Sequence, residues 1–440
     1  MKPFQIHPAS FVKGEITLPS DKSISHRAVF IGSIAKGKTI LENFSLSKDC
    51  LYTLGAFKKL RVKIKKEGRR LTIYGKGLKG LKPIESSIFV GDSGTTIRLL
   101  CGVLAGQNFD VTLKAGPSLS KRPMRRVLEP LRMMGANIES LEVRDNEEYP
   151  PLVIKGGCRL KAIEYNLPVA SAQVKSSILL AGLFAEGVTV VQESIKTRDH
   201  TERLLYQCGV DIKIKNQKIF LRPPGILRSP EYILIPGDIS SASFFLVAAI
   251  LLKNSYLKIN NIGFNPTRLG LVRVLKRMGA NIDLRYKILD KNFQEPLGDI
   301  TVSSSSLKAV YVKKEEIPSL IDELPILMVA ASFAKGKTII ESVQELRFKE
   351  TDRIRSMMEG LSYMGAKISL QRKRQREDIV IEGVDSLKGA KLHSFGDHRT
   401  AMALVVAGLA AKKGESLIDD VSCVSKSFPN FLGILKRIVH

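Results

Sequence analysis

The chain has 440 residues, 44% of them apolar and 25% charged, with a formal net charge of +26 at neutral pH. That composition excludes a disordered chain, and the length suits about three ordinary domains or two large ones. No apolar run reaches the about 20 uncharged residues that a membrane-spanning helix needs. Five scattered cysteines (Cys50, Cys101, Cys158, Cys208, Cys423) form no CxxC pair, which argues for free thiols in a reducing compartment and against structural zinc.

The N-terminus, MKPFQIHPASFVKGEITLP, lacks an apolar signal core and an Arg/Ser-rich leader, so a cytoplasmic protein is expected. The first strong element is an apolar helix led by SDKSISHR (Ser20–Arg27) and stopped by AKG (Ala35–Gly37). Across its end runs GSIAKGKT (residues 32–39), which matches the phosphate-loop pattern GxxxxGK[ST] in full. A phosphate loop needs a strand before it and a helix after it. Here helix Ala28–Ala35 comes first and strand-like Thr39–Leu41 second, so nucleotide binding through Lys38 is rejected. The basic stretch Lys58 to Lys82 alternates charge with Val62, Ile64, Leu71 and Ile73, as a half-buried strand pair does. With RKRQR (Arg372–Arg376) it raises nucleic-acid binding as a function. The absence of Trp, 6% aromatic content and the lack of zinc-finger or helix-turn-helix spelling speak against that function.

The helix-and-stop plan then returns. Its later stops are LAG (Leu104–Gly106), AEG (Ala185–Gly187), LKN (Leu252–Asn254), AKG (Ala334–Gly336) and KKG (Lys412–Gly414), 67 to 82 residues apart. Gly or Asn there suits a left-handed helix cap. Each stop leads into a β-like run, and in most units a second helix follows. Those second helices end in MMGANI (Met133–Ile138), QCGVDI (Gln207–Ile212), RMGANI (Arg277–Ile282) and YMGAKI (Tyr363–Ile368). Six such units are too long for a helical-pair solenoid and predict two similar α/β domains of three units each. The Pro-rich stretch Arg222 to Pro236 marks a boundary between them.

The residues ahead of the first helix of each unit are SDKSISHR, GDSGTTIR (Gly91–Arg98), SAQVKSS (Ser171–Ser177), GDISSAS (Gly237–Ser243), IDELP (Ile321–Pro325) and GDHRT (Gly396–Thr400). Asp, Ser, Thr and Gly are ordinary helix caps. Lys22, Arg27, Lys175 and Arg399 are surplus to a cap, because a cation at a helix start opposes the dipole unless an anion is bound. Six such ends are expected to converge on one cleft between the domains. A second set follows the unit strands: SKRPMRR (Ser120–Arg126), TRDHTER (Thr197–Arg203), NPTR (Asn265–Arg268), RFKETDR (Arg347–Arg353) and KSFP (Lys426–Pro429). Lys22, Arg27, Arg122, Arg198, Lys349, Arg353, Arg399 and Lys426 together would suit a small polyanion carrying phosphate and carboxylate groups. Asp322 and Glu350 are the acids placed to act as bases there, against the plainer roles of helix cap for Asp322 and partner of Arg353 for Glu350. Six histidines without HxxxH or HExxH spelling give no metal site, and no cofactor is expected.

At SDKSISHR, GDSGTTIR, KRPM, SAQVKSS, RDHTE, NPTR, IDELP, RFKETDR, GDHRTAM and KSFP the sequence resembles the 5-enolpyruvylshikimate-3-phosphate synthases, over nearly the whole chain. DKS, SAQVK, RDHTE and NPTR are similar to the second class of that family, the one associated with herbicide tolerance. The resemblance implies the enolpyruvyl transferase fold, an inside-out α/β barrel: two domains, each of three βαβαββ-type units with pseudo-threefold symmetry. One domain would be residues 21–239 and the other 1–20 plus 240–440. It implies transfer of the enolpyruvyl group of phosphoenolpyruvate to the 5-hydroxyl of shikimate-3-phosphate with release of phosphate, by a monomer that closes on binding both substrates. The implied shikimate-3-phosphate site is Lys22, Ser23, Arg27, Ser171, Ala172, Gln173, Arg198, Asp322 and Lys349. The implied phosphoenolpyruvate site is Lys22, Gly94, Arg122, Gln173, Arg353, Arg399 and Lys426. Asp322 would serve as base, Glu350 would handle the methylene proton, and Lys22 would polarise the hydroxyl. Tolerant second-class members carry Ala where this chain has Gly94, so ordinary glyphosate inhibition is expected, although Leu99 replaces the Pro common in sensitive members. The sister UDP-N-acetylglucosamine enolpyruvyl transferases use a Lys-Asn pair where this chain has Lys22-Ser23, and a loop Cys that is absent from Leu113 to Met124. A basic nucleic-acid-binding repeat protein would leave Asp322 and Glu350 unexplained.

Overall fold

Six short sheets, three in each of two contact units, organise the chain in a computed structural model that describes residues 3–289, 293–374 and 376–440. The first unit is Ser20–Pro236 together with residues 293–295; the second is residues 3–19, 237–289 and 296–440. The chain thus passes between units at Pro19/Ser20 and Pro236/Gly237.

In the first unit, helices α1 (Lys22–Ile34), α3 (Gly94–Leu104) and α5 (Ala172–Gly182) alternate with α2 (Lys48–Lys59), α4 (Arg125–Met133) and α6 (His200–Gln207). The odd-numbered helices are apolar on nearly every side and buried along almost their whole length, as a helix without a polar face must be. The even-numbered ones bury one stripe. Each helix pair belongs to a four-stranded sheet of one plan, in which a parallel edge strand is followed by two antiparallel neighbours. In the middle repeat these strands are Ser87–Phe89, Val111–Lys114, Glu147–Lys155 and Asn137–Arg144. The basic stretch forms the antiparallel hairpin Lys63–Glu67 and Arg70–Lys76, with Val62, Leu71 and Ile73 buried beneath its charges.

The second unit repeats the plan with α7 (Ile239–Leu251), α9 (Leu324–Ser332) and α11 (His398–Leu409) buried, and α8 (Gly270–Arg277), α10 (Arg353–Tyr363) and α12 (Phe431–Ile438) half-buried. Its third sheet has three strands, completed by the N-terminal strand Phe4–Ile6 on Ser416–Ile418. Strand Tyr232–Leu234, which leads into α7, pairs in the first unit with Lys36–Glu42. Strand Lys13–Thr17, which leads into α1, pairs in the second unit with Tyr256–Gly263. The two units have therefore exchanged their leading strands. The expected barrel takes the form of three separate sheets per unit among the described residues, because buried helices fill each interior.

The glycines explain the repeat. Gly135, Gly209, Gly279 and Gly365, which close the second helices, all have positive φ, the left-handed cap that the spelling requires. At the first-helix stops the chain leaves the helix before the glycine: α1 ends at Ile34, and Gly37 (φ +117°) turns the chain inside strand Lys36–Glu42. Gly106 serves packing instead, since a Cβ there would lie 2.2 Å from the Phe184 ring. The phosphate-loop look-alike runs from helix to strand, as read.

Candidate active site

In the first unit the starts of α1, α3 and α5 carry the sequence-selected residues. Asp21 caps α1 by accepting from the Ile24 N–H at 2.9 Å, Ser93 caps α3 and Ser171 caps α5. Ala172 is the first residue of α5. Arg27 is buried and donates through Nε to Thr201 Oγ1 (2.8 Å), through Nη2 to Ser176 Oγ (2.9 Å) and through Nη1 to the Ser23 carbonyl (3.1 Å). Arg198 Nη1 reaches Ser23 Oγ at 3.3 Å. Ser23, Arg27 and Arg198 therefore form one cationic corner between α1, α5 and the loop before α6. Gln173 accepts from Arg98 Nη1 (2.8 Å) and donates to Thr95 Oγ1 (3.0 Å), which ties the start of α5 to the start of α3. Gly94 lies under Arg122: a Cβ at Gly94 would be 3.0 Å from Arg122 Nη1 and 2.7 Å from Arg98 Nη1. Lys22 Nζ donates to Asp49 Oδ2 at 2.8 Å.

Lys175 departs from the reading. The anions answering its charge are internal: Nζ lies 2.9 Å from Glu193 Oε2 and 2.6 Å from Glu202 Oε1, and its side chain is fully buried. Burial disfavours the ammonium, but the two carboxylates outweigh it and raise the Lys175 pKa.

In the second unit, Arg353 opens α10 and is wholly buried. It spans three carboxylates: Nε to Asp397 Oδ2 (2.8 Å), Nη2 to Glu350 Oε2 (2.6 Å) and Nη1 to Asp322 Oδ1 (3.5 Å). Burial alone would lower its pKa; Asp397, Glu350 and Asp322 together raise it, so the charge is permanent. Asp397 also caps α11, accepting from the Arg399 N–H at 2.7 Å. Burial would push its carboxyl up, but Arg353 holds it below the ordinary range. Glu350 does pair with Arg353, as its plainer reading supposed. Asp322 does not cap α9, because Glu323 occupies the cap position. Asp322 lies instead within 4.0 Å of Lys349 Nζ, 3.8 Å of Arg399 Nη2 and 3.5 Å of Arg353, while Arg399 Nη1 donates to its carbonyl at 2.8 Å. Lys426 closes a short turn packed on α11.

The structure thus gathers Ser23, Arg27, Gln173 and Arg198 in one unit, and Asp322, Lys349, Glu350, Arg353 and Arg399 in the other. Sequence reasoning missed the supporting residues Asp49, Arg98, Ser176, Thr201 and Asp397. Arg98, Ser176, Thr201 and Asp397 stand inside quoted motifs, so motif membership was their signal; Asp49 had none. The basic run Arg372–Arg376 takes in the end of strand Lys367–Lys373 and the start of strand Arg376–Glu382, and Gln375 lies outside the described residues. Its Arg372, Lys373 and Arg376 are paired with Glu377 and Asp378. Burial pushes the thiols of Cys50, Cys101 and Cys208 up to about 12, far from nucleophiles. Among the described residues no helix is long and apolar enough to cross a membrane.

Residues 6–435 match the family model described as EPSP synthase (3-phosphoshikimate 1-carboxyvinyltransferase). A 3-phosphoshikimate 1-carboxyvinyltransferase of Thermodesulfovibrio yellowstonii is 47% identical over 435 residues, covering 98% of this chain and 99% of its own. One from Bacillus cereus is 44% identical over 439 residues, the full length of both. Among solved structures, an EPSP synthase from Acinetobacter baumannii superposes with a TM-score of 0.85 at 41% identity, covering 100% of this chain and 98% of that one. The enolpyruvyl transferase NikO from Streptomyces tendae shares the fold alone, with a TM-score of 0.77 at 16% identity and the same coverage. Repeat plan, the clustered cationic side chains of each unit and full-length similarity lead to one conclusion: the chain belongs to the EPSP synthase family, the 3-phosphoshikimate 1-carboxyvinyltransferases.

Proposed function

We propose that this chain carries out its family's reaction, the transfer of the enolpyruvyl group of phosphoenolpyruvate to the 5-hydroxyl of shikimate-3-phosphate, with the following division of labour. Ser23, Arg27, Ser171, Ala172, Gln173 and Arg198 hold shikimate-3-phosphate, the two arginines meeting its phosphate as forked donors. Lys22, Gly94, Arg122, Gln173, Arg353, Arg399 and Lys426 take phosphoenolpyruvate, whose phosphate and carboxylate need several cations. Lys349 and Asp322 orient the acceptor ring.

Glu350 delivers a proton to the methylene carbon, which leaves C2 electron-poor. The 5-hydroxyl oxygen adds to C2 while Asp322 takes its proton and Lys22 polarises the O–H. The resulting tetrahedral adduct loses inorganic phosphate as the C2–O bond breaks, and a proton leaves the new methyl group to restore the double bond. Arginines and lysines fixed before the reaction stabilise the charge on the departing phosphate, and two bound substrates replace a bimolecular encounter.

The observation that carries this reading is the position of Asp322: a carboxylate with no capping duty, facing Lys349, Arg353 and Arg399. The test is phosphate release from the purified protein. Release should require both substrates, and Asp322→Ala should lower kcat by about 100-fold or more. Release from phosphoenolpyruvate alone, or an Asp322→Ala variant as fast as the parent, would refute it.

We also propose a cytoplasmic monomer that binds no nucleic acid and is inhibited by glyphosate in the ordinary way. Gly94 supports the last point, since its missing Cβ leaves Arg122 undisplaced.

A further inference from the structure

Lys175 sits four residues into the motif that opens α5, and its ammonium is paired with Glu193 and Glu202, neither of which is assigned to substrate. Its side chain and that of Glu202 are almost wholly buried, and Glu193 is 6% exposed. One ammonium thus joins three elements: α5, the segment leaving strand Thr189–Gln192, and α6.

Each carboxylate it holds leads directly to one of the two arginines proposed to bind the phosphate of shikimate-3-phosphate. Glu193 Oε1 accepts from the Thr197 N–H at 3.1 Å and also from the Thr197 hydroxyl, so it fixes the backbone immediately before Arg198. Glu202 follows Thr201, which accepts from Arg27 Nε and shares a 2.7 Å hydrogen bond with Ser176. Ser176 follows Lys175 and accepts from Arg27 Nη2. Lys175 with Glu202, and Ser176 with Thr201, are adjacent rungs between α5 and α6, and Arg27 caps the second rung.

We propose that Lys175 is a positioning residue: by clamping Glu193 and Glu202 it sets the spacing of Arg27 and Arg198 from the Ser171–Gln173 helix start, and so the affinity for shikimate-3-phosphate. This rests on the substrate assignment above. A side chain serving the core alone would not need a charge. Replacing a buried ion group by apolar side chains is often neutral for stability, whereas removing one partner is costly because it strands the other. Burial already pushes the Glu202 carboxyl up, with Lys175 as the leading opposing influence, so losing the ammonium leaves two carboxylates crowded and drives proton uptake there.

The experiment uses the full chain. Binding of shikimate-3-phosphate alone is measured by calorimetric titration, KM for each substrate by phosphate release, and stability by thermal melting. Lys175→Met should weaken shikimate-3-phosphate binding by about tenfold or more, while KM for phosphoenolpyruvate at saturating acceptor moves by less than about threefold. Lys175→Met/Glu202→Gln removes one of the two stranded carboxylates and ends their mutual repulsion, so it should recover most of the melting temperature while leaving that binding weak. Shikimate-3-phosphate affinity within about twofold of the parent in either folded variant, or recovery of affinity together with stability in the double variant, overturns the proposal. Arg198→Ala separates the underlying assignment. If it leaves shikimate-3-phosphate binding intact, the site assignment fails and Lys175 with it. If it weakens binding while the Lys175 variants do not, only the positioning role fails.

Discussion

His26 makes stability at mildly acidic pH a direct readout of the packing of the first unit. The ring lies in α1 with no solvent exposure. Its Nδ1 is 2.6 Å from Thr53 Oγ1, which lies 2.7 Å from Thr96 Oγ1, and Thr96 Oγ1 is 2.6 Å from Ser93 Oγ at the start of α3. Burial drives the imidazole pKa from 6.5 down to about 3, against a small upward pull from Asp49. The folded ring therefore stays neutral where the unfolded one takes a proton. This contribution is complete above the unfolded value and shrinks as pH falls from 6.5 toward 3, at about 1.4 kcal/mol per pH unit. Between pH 7 and pH 5 it amounts to about 2 kcal/mol. Denaturant unfolding of the parent and of His26→Asn at those two pH values measures it, because subtracting one loss from the other removes every other titrating group. The parent should lose about 2 kcal/mol more than the variant. Equal losses, or an NMR titration of the His26 ring with a midpoint near 6, would refute the buried relay.

Three further outcomes bear on the substrates. Gly94→Ala should displace Arg122 and Arg98, raising the KM for phosphoenolpyruvate several-fold and the glyphosate inhibition constant by about tenfold or more; unchanged constants would show that the glycine is incidental. Arg198→Ala should raise KM for shikimate-3-phosphate by about tenfold or more and leave the melting temperature almost unchanged, as steady-state kinetics and calorimetry would show. Asp397→Asn loosens Arg353 and should lower kcat/KM for phosphoenolpyruvate by about 100-fold. Because the folded Asp397 pKa lies below its ordinary value of 3.8, its stabilisation is present above that value and lost as pH falls through the folded pKa. Parent and variant should then differ in melting temperature at pH 6 and converge in strong acid.

Local structure was well written in the sequence, because helix ends and strand faces depend on neighbours a few residues apart. The recurring MGAN-type endings marked the ends of second helices, which close on left-handed Gly135, Gly279 and Gly365, and helix-before-strand order alone disposed of the phosphate-loop look-alike. The cationic residues of both units were legible as well, since a charge at a helix start is costly without an anion. What the sequence could not say was which anion. Arg27 and Lys175 look alike at that level, yet Lys175 finds Glu193 and Glu202 inside the protein, 18 and 27 residues away. Asp322 and Glu323 are adjacent acids with one cap between them, and only the backbone decides that Glu323 takes it. The exchange of strands Lys13–Thr17 and Tyr232–Leu234 joins segments more than 190 residues apart, where periodicity carries no signal.

The most direct test of the central claim, protonation of the donor carbon by Glu350 followed by elimination, is turnover in heavy water. Protonating the methylene carbon makes a transient methyl group from which any hydrogen can depart. The enolpyruvyl product of the parent should therefore carry deuterium on its methylene carbon, and Glu350→Gln should lower both turnover and label incorporation by about 100-fold or more. Product free of deuterium at that carbon, or a Glu350→Gln variant that incorporates label at the parent's rate, would contradict the account.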